Sequence, residues 1–173
     1  LEGTWELGDR EALLAAVEEI LERGDNEAFQ AAAAEVKGLS DRELARQLEG
    51  MGEVDRYMWP WTRELGKKWG ETGIRAWDLS RAAALLQWGY TAGYVTYGEA
   101  MELLEPAVGE LETTFDSWDA FYENFLEGYY WCLREKAEGS VWETELGAGY
   151  QYLKSDPVTR TLFDGSLFEK GKD

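Results

Sequence analysis

The chain has 173 residues, with 35 Asp plus Glu against 17 Lys plus Arg, a formal net charge of −18, a single cysteine and no histidine. The missing histidine excludes Ser-His and Cys-His nucleophilic machinery, His-based acid–base work and the usual zinc and non-haem iron sites, and one cysteine allows no internal disulfide. The negative field repels phosphate backbones and anionic lipid, and the densest basic pieces, GKKWG and FEKGKD, are too short to form a nucleic-acid-binding stripe.

Three prolines, no Ser/Gly tract and an even spread of apolar residues leave no linker, so residues 1–173 read as a single helical domain. No window approaches the length of a membrane span, and LEGTWELGDREALL lacks the basic-then-apolar order of a signal peptide. A cytoplasmic protein is the expectation, although Leu1 is not an initiator methionine and leaves room for residues upstream.

DREALLAAVEEILERG places Leu13, Leu14, Val17, Ile20 and Leu21 on one helical face, with Gly24 as its stop. Asn26 is positioned to cap a second, alanine-rich helix ending near Gly38, and Ser40 with Glu43 forms a capping box for a third through Leu48. Pro60 suits a first helical turn better than an interior, so Met51 to Gly70 is expected to break there, with a helix from Pro60 to about Trp69. Tyr57, Trp59, Trp61 and Trp69 then read as core or groove wall.

The run RAAALLQWGYTAG predicts a helix over residues 80–93, capped by Asp78 or Ser80 and stopped by Gly93. Ala82, Ala83, Ala84, Gly89, Ala92 and Gly93 let another helix approach closely, which makes this the central helix, with Trp88, Tyr90 and Tyr94 projecting around it. Thr96 and Glu99 form a second capping box, opening YGEAMELLEPAVGELETTF with a kink at Pro106. Ser117 caps WDAFYENFLEGYYWCLREKAEG, where Cys132 is expected in the core; Ser140 with Glu143 caps a further helix to about Lys154, and SDPVTR begins a final short turn. Only GYVTYG has room to be extended, so the fold class is all-α: an irregular bundle of about seven to nine helices.

There is no GxxxxGK[ST] loop, no GxGxxG after a strand and no calcium-loop pattern, and FDGSLFEKGKD holds suitable oxygens in the wrong order. No cofactor and no metal is expected. Carboxylate chemistry remains open, because paired acids beside some of the nine Trp and nine Tyr are what a glycoside-cleaving site needs; no pair is marked out by spacing. Asp78 and Arg81 stand three apart, close enough to meet on a first helical turn. One reading makes Asp78 a cap and Arg81 its tie to a neighbouring helix; the other holds Arg81 ready for an anionic group.

AWDLSRAAALLQWGYTAGYVTYGEA, followed by TTFDSWDAFYENFLEGYYW, resembles a bacterial family, domain of unknown function 1266, with weaker likeness in WELGDREALLAAVEEILERGDNEAF and YQYLKSDPVTRTLF. The resemblance covers nearly the whole chain and implies Trp77, Asp78, Arg81, Gly89, Gly93, Tyr94, Glu99, Ser117, Trp118 and Gly128 as signature positions. The chain departs from the family pattern at Gly24-Asp25, where Gly-His is frequent; a histidine that worked in relatives would be missing here. The family carries no established reaction. From residues and resemblance together, Trp77, Asp78, Arg81, Tyr90, Tyr94, Glu99 and Trp118 are the candidate binding residues.

The leading expectation is a non-enzymatic acidic binding protein, in particular an immunity protein that neutralises a bacterial toxin by covering a cationic site. Its partner would be a protein with a basic surface, with no nucleic acid or membrane involved. The alternative is a small enzyme or ligand-binding domain whose carboxylates, Arg81 and Tyr/Trp set converge on a pocket, and it loses ground if Asp78 and Arg81 lie sealed and paired inside. A scaffold module, the third reading, would show a broad exposed apolar patch.

Overall fold

A computed structural model describes residues 7–137, 139–163 and 166–169. The fold is all-α: seven helices of eleven residues or more, with two shorter ones, and no strand among the described residues. The segment read for calcium ligation, FDGSLFEKGKD, falls largely outside those residues, as do the first six positions.

Helix α1 (Arg10–Glu22) starts at Asp9, whose side chain accepts from the Ala12 amide at 2.9 Å, and it buries Leu13, Val17 and Ile20. Helix α2 (Gly24–Lys37) follows after Arg23 alone. Gly24 therefore both ends one helix and opens the next, at φ +59°, and Asn26 sits within the first turn of α2 instead of capping it from outside. Helix α3 (Asp41–Leu48) has the expected Ser40/Glu43 capping box.

Helix α4 (Glu53–Trp69) runs unbroken through Pro60, contrary to the break expected there. Met58 before the proline and Trp61 and Leu65 after it are buried in one cluster with Phe29 and Ala33 of α2. Packing on both sides of Pro60 holds the two halves in one helix, outweighing a missing backbone hydrogen bond.

Helix α5 (Arg75–Thr91) is the central element, packed against α1, α2 and the two helices that follow it. It begins five residues before Ser80, so neither Asp78 nor Ser80 is its cap; it enters through Gly73, at φ +59°, and Ile74. Its end is the one expected: Gly93 takes φ +78°, and the Tyr94 amide returns to the Gly89 carbonyl at 2.9 Å. Gly89 is where α1 crosses, since a Cβ there would lie 2.2 Å from Leu13 Cδ2.

Helix α6 (Tyr97–Thr114) opens with the Thr96/Glu99 capping box and carries Pro106 inside it. Helix α7 (Trp118–Leu133) is capped by Ser117 but stops short of the expected Gly139, because Arg134 turns into the left-handed region at φ 56°. The Ser140/Glu143 box encloses a 3₁₀ turn, Val141–Glu143, and helix α8 (Glu145–Ser155) is capped instead by Thr144. A 3₁₀ turn, Arg160–Phe163, and helix α9 (Ser166–Glu169) follow. GYVTYG is loop running into α6.

Three apolar clusters meet along α5. Leu85 and Leu86 join Leu13, Val17 and Ile20; Ala76 and Leu79 join Leu111, Phe115 and Phe121; Ile74, at the entry of α5, joins the α2–α4 cluster. No helix among the described residues is long and apolar enough to cross a membrane.

Candidate functional site

The first four amides of any helix lack an intrahelical acceptor. At the start of α2 the residue in the capping position is Arg23, which supplies no side-chain bond. The acceptor comes from the first turn of α5: Asp78 Oδ1 takes the Asp25 amide and Oδ2 the Asn26 amide, each at 2.9 Å. Asp78 is thus a helix cap, but for a helix more than fifty residues earlier in the chain. Its carboxylate is fully buried.

The arrangement is reciprocal. Asn26 Oδ1 accepts the Ile74 amide at 2.8 Å, so the first turn of α2 caps the start of α5 in return. From α7, the fully buried Asn124 accepts the Ala76 amide at 2.9 Å and donates to the Gly73 carbonyl at 2.7 Å. Glycine is needed at the contact on two counts: Gly24 has a positive φ, and a Cβ on it would lie 2.3 Å from Asp78 Cγ.

Around this latch the charges are paired. Arg81 Nη1 bonds Asp25 Oδ2 and lies 3.5 Å from Asp78 Oδ1, with its guanidinium 5.5 Å from the centre of the Trp77 ring. Trp77 Nε1 donates to the same Asp25 oxygen at 2.8 Å, and Cys132 Sγ approaches it at 3.5 Å. Arg75 stands 3.9 Å from Asp78, chelates Glu110 with Nε and Nη2 at 2.6 and 2.9 Å, and donates from Nη1 to the Ile20 carbonyl at the end of α1.

Burial pushes the Asp78 carboxyl above its usual range, while the two backbone amides pull it back in part. Burial, with Asp25 alongside, also pushes the half-buried Cys132 thiol up, which removes it as a thiolate nucleophile. A second mostly buried carboxyl, Glu127 on α7, is raised by burial and partly restored by bonds from Lys68 Nζ at 2.9 Å and Trp69 Nε1 at 2.5 Å. Among the described residues, no group of three or more Asp, Glu or Cys is arranged to hold a metal ion.

The candidate binding residues fall in three places. Trp77, Asp78 and Arg81 meet at the latch. Tyr90, Tyr94 and Glu99 lie at the opposite end of α5: Tyr90 packs edge-on against Tyr97 at 6.1 Å, Tyr94 Oη donates to the Gly8 carbonyl at 3.1 Å, and Glu99 serves the Thr96 cap and pairs with Arg10 at 3.0 Å. Trp118 starts α7, edge-on to Phe121 and Phe168, with a buried Nε1 that has no acceptor. The seven therefore do not converge on one cavity.

Asn124 is the latch residue with no role in the sequence reading; Asn26 is expected there only as a cap for its own helix, and Asp25 only as a departure from the family pattern. Two signals were present: a helix opening directly behind Gly24 with no local cap, and an asparagine amid the apolar positions Phe121, Phe125 and Leu126. Beside the latch, an open cleft of about 530 Å³ is lined by Glu22, Glu27, Glu71 and Glu110, with Arg23 and Arg75. Its acidic balance suits a cationic group.

Bundle and latch together define an all-α domain in which the signature Trp-Asp-Leu-Ser-Arg segment ties helix starts to one another. The chain belongs to the family described as Protein of unknown function (DUF1266), whose model matches residues 1–159. Neither the curated proteins nor the solved structures contain a match to it.

Proposed function

We propose that this domain is a non-enzymatic acidic binding protein of the bacterial cytoplasm, an immunity protein that covers the cationic site of a toxin. The observation carrying this reading is where the polar residues go. Asp78, Asp25, Arg81 and Asn124 are engaged with one another and with backbone, which leaves the acidic exterior as the chemically distinctive surface. That exterior includes α6, with five Glu and no Lys or Arg, and the cleft with Glu22, Glu27, Glu71 and Glu110 on its wall. A negative surface of this kind steers a basic partner into place and rejects acidic ones.

The test is a low-salt binding screen against purified cationic toxin domains, nucleases included, with toxin activity followed in parallel. The reading expects a one-to-one complex at about 20 mM salt that weakens as salt screens the charges, together with matching loss of toxin activity. Failure of every cationic toxin domain to bind, or binding that leaves toxin activity intact, would overturn it.

A further inference from the structure

The negative charge is unevenly placed: residues 37 to 68 hold seven Lys or Arg and six Asp or Glu, so this stretch is close to neutral within a chain of net charge −18. Three of its cations meet at a groove of about 390 Å³ between α2 and α4. Buried Ala33 and half-buried Gly66 lie deepest in it, exposed Ala34 lies beside them, and Lys37, Arg63 and Lys67 are its cations, with Glu71 the one acid of the lining. The volume lies within the range of about 300–1,000 Å³ usual for small-molecule sites.

The groove follows from the sequence. A Cβ on Gly66 would lie 3.1 Å from that of Ala33, so the two helices touch through their smallest residues and leave open the space that longer side chains would fill. Arg63 and Lys67 are one turn apart on α4, and like charges at that spacing repel. Among the described residues, Lys37 and Lys67 have no ion-pair partner. Arg63 Nη1 reaches Asp41 at 2.8 Å, but the Asp41 side chain is 94% exposed, so that pair holds the guanidinium weakly. Arg63 Nε is buried and has no acceptor. Gln30 braces one end by donating to the carbonyls of Gly70 and Glu71, both at 3.0 Å.

We propose that this groove is a binding site for a small organic anion with a flat apolar body and a terminal carboxylate, phosphate or sulfonate. The body covers the alanine and glycine surface, and the anionic end relieves the Arg63–Lys67 repulsion and pairs with Lys67 and with the guanidinium that Asp41 holds only weakly. The site shares only Glu71 with the acidic cleft, so it does not depend on the toxin-binding reading.

Fluorescence titration of the full chain with anilinonaphthalene sulfonate, with stoichiometry from calorimetry, tests the site. Wild type is expected to bind one probe saturably, and pyrophosphate to compete. Ala34→Trp, which fills the groove without changing charge, and Lys67→Glu, at an exposed position of its lining, should each weaken binding roughly tenfold. Lys136→Glu makes the same charge change outside the groove and should stay within about twofold. Circular dichroism verifies the fold of each variant, and Lys67→Glu decides the matter alone if Ala34→Trp is poorly folded. Absence of saturable binding, wild-type affinity in Lys67→Glu, or equal weakening in Lys136→Glu would overturn the proposal.

Discussion

The two ends of α5 carry the same kinds of residue and use them in opposite ways. At the N-terminal end Asp78 and Asn124 are fully buried, and Asp78 accepts backbone amides from α2. At the C-terminal end Tyr90 is 52% exposed, and Glu99 works on the surface, in a capping box of its own helix with a salt bridge to Arg10. Polar and aromatic residues gathered in one motif do not by themselves mark a ligand site. What separates the two ends is whether the acceptors are consumed by distant backbone, which makes a residue structural, or left at the surface, where its removal is cheap.

Asp78→Ala should show the difference most strongly. It strips two buried amides of their acceptor and removes the carboxylate beside Arg81 and Arg75, with an expected loss of about 3–5 kcal/mol in urea unfolding. A loss below about 1 kcal/mol would erase the contrast between the ends.

Glycine offers a matched pair. Gly24→Ala adds a Cβ 2.3 Å from Asp78 Cγ at φ +59°, whereas Gly93→Ala sits at φ +78° with no other atom within 4 Å. Backbone strain is common to both, at about 1–2 kcal/mol, and the clash belongs to Gly24 alone. The Gly24 variant should therefore melt well below the Gly93 variant, and equal melting temperatures would show that Asp78 does not pack against Gly24.

The ends also differ in the sign of their pH dependence. Asp78, whose carboxyl is raised in the folded state chiefly by burial, contributes stability that is fullest below the unfolded value of about 3.9 and declines as pH rises through its folded value. Glu99 is lowered, chiefly by its bond from the Thr96 amide, so its contribution is present above the unfolded value and is lost as pH falls through the folded one. Unfolding free energies from acid to neutral pH for wild type, Asp78→Asn and Glu99→Gln should thus diverge in opposite directions. The smallest effect is expected from Tyr90→Ala, within about 0.5 kcal/mol of wild type in the same unfolding assay.

How legible each end was follows from sequence separation. The capping boxes at Ser40/Glu43 and Thr96/Glu99 and the Ser117 cap could be read because both partners lie within one turn. The Gly93 stop could be read for the same reason. The sequence offers Asp78, alongside Ser80, only as a cap for its own helix, and Arg81 either as its tie to a neighbour or as an anion-binding group, because the amides Asp78 binds are 53 and 52 residues away. Pro60 misled for a related reason: local propensity argues for a break, and the burial of Met58 and Trp61 against α2 depends on contacts that no local pattern contains. The groove lined by Ala33, Ala34 and Gly66 was equally invisible, since residues of the two helices become neighbours only when α2 and α4 pack.

Asp78 caps α2 from across the fold, and amide hydrogen exchange reads that bond directly. Asp25 and Asn26 occupy the first turn of α2, where amides have no intrahelical acceptor and exchange fast unless something else holds them. Strong protection of both amides in wild type, lost in Asp78→Ala while the Glu99 amide at the far end keeps its protection, is the predicted result. Exchange of the Asp25 and Asn26 amides at unprotected rates in the wild-type protein would contradict it.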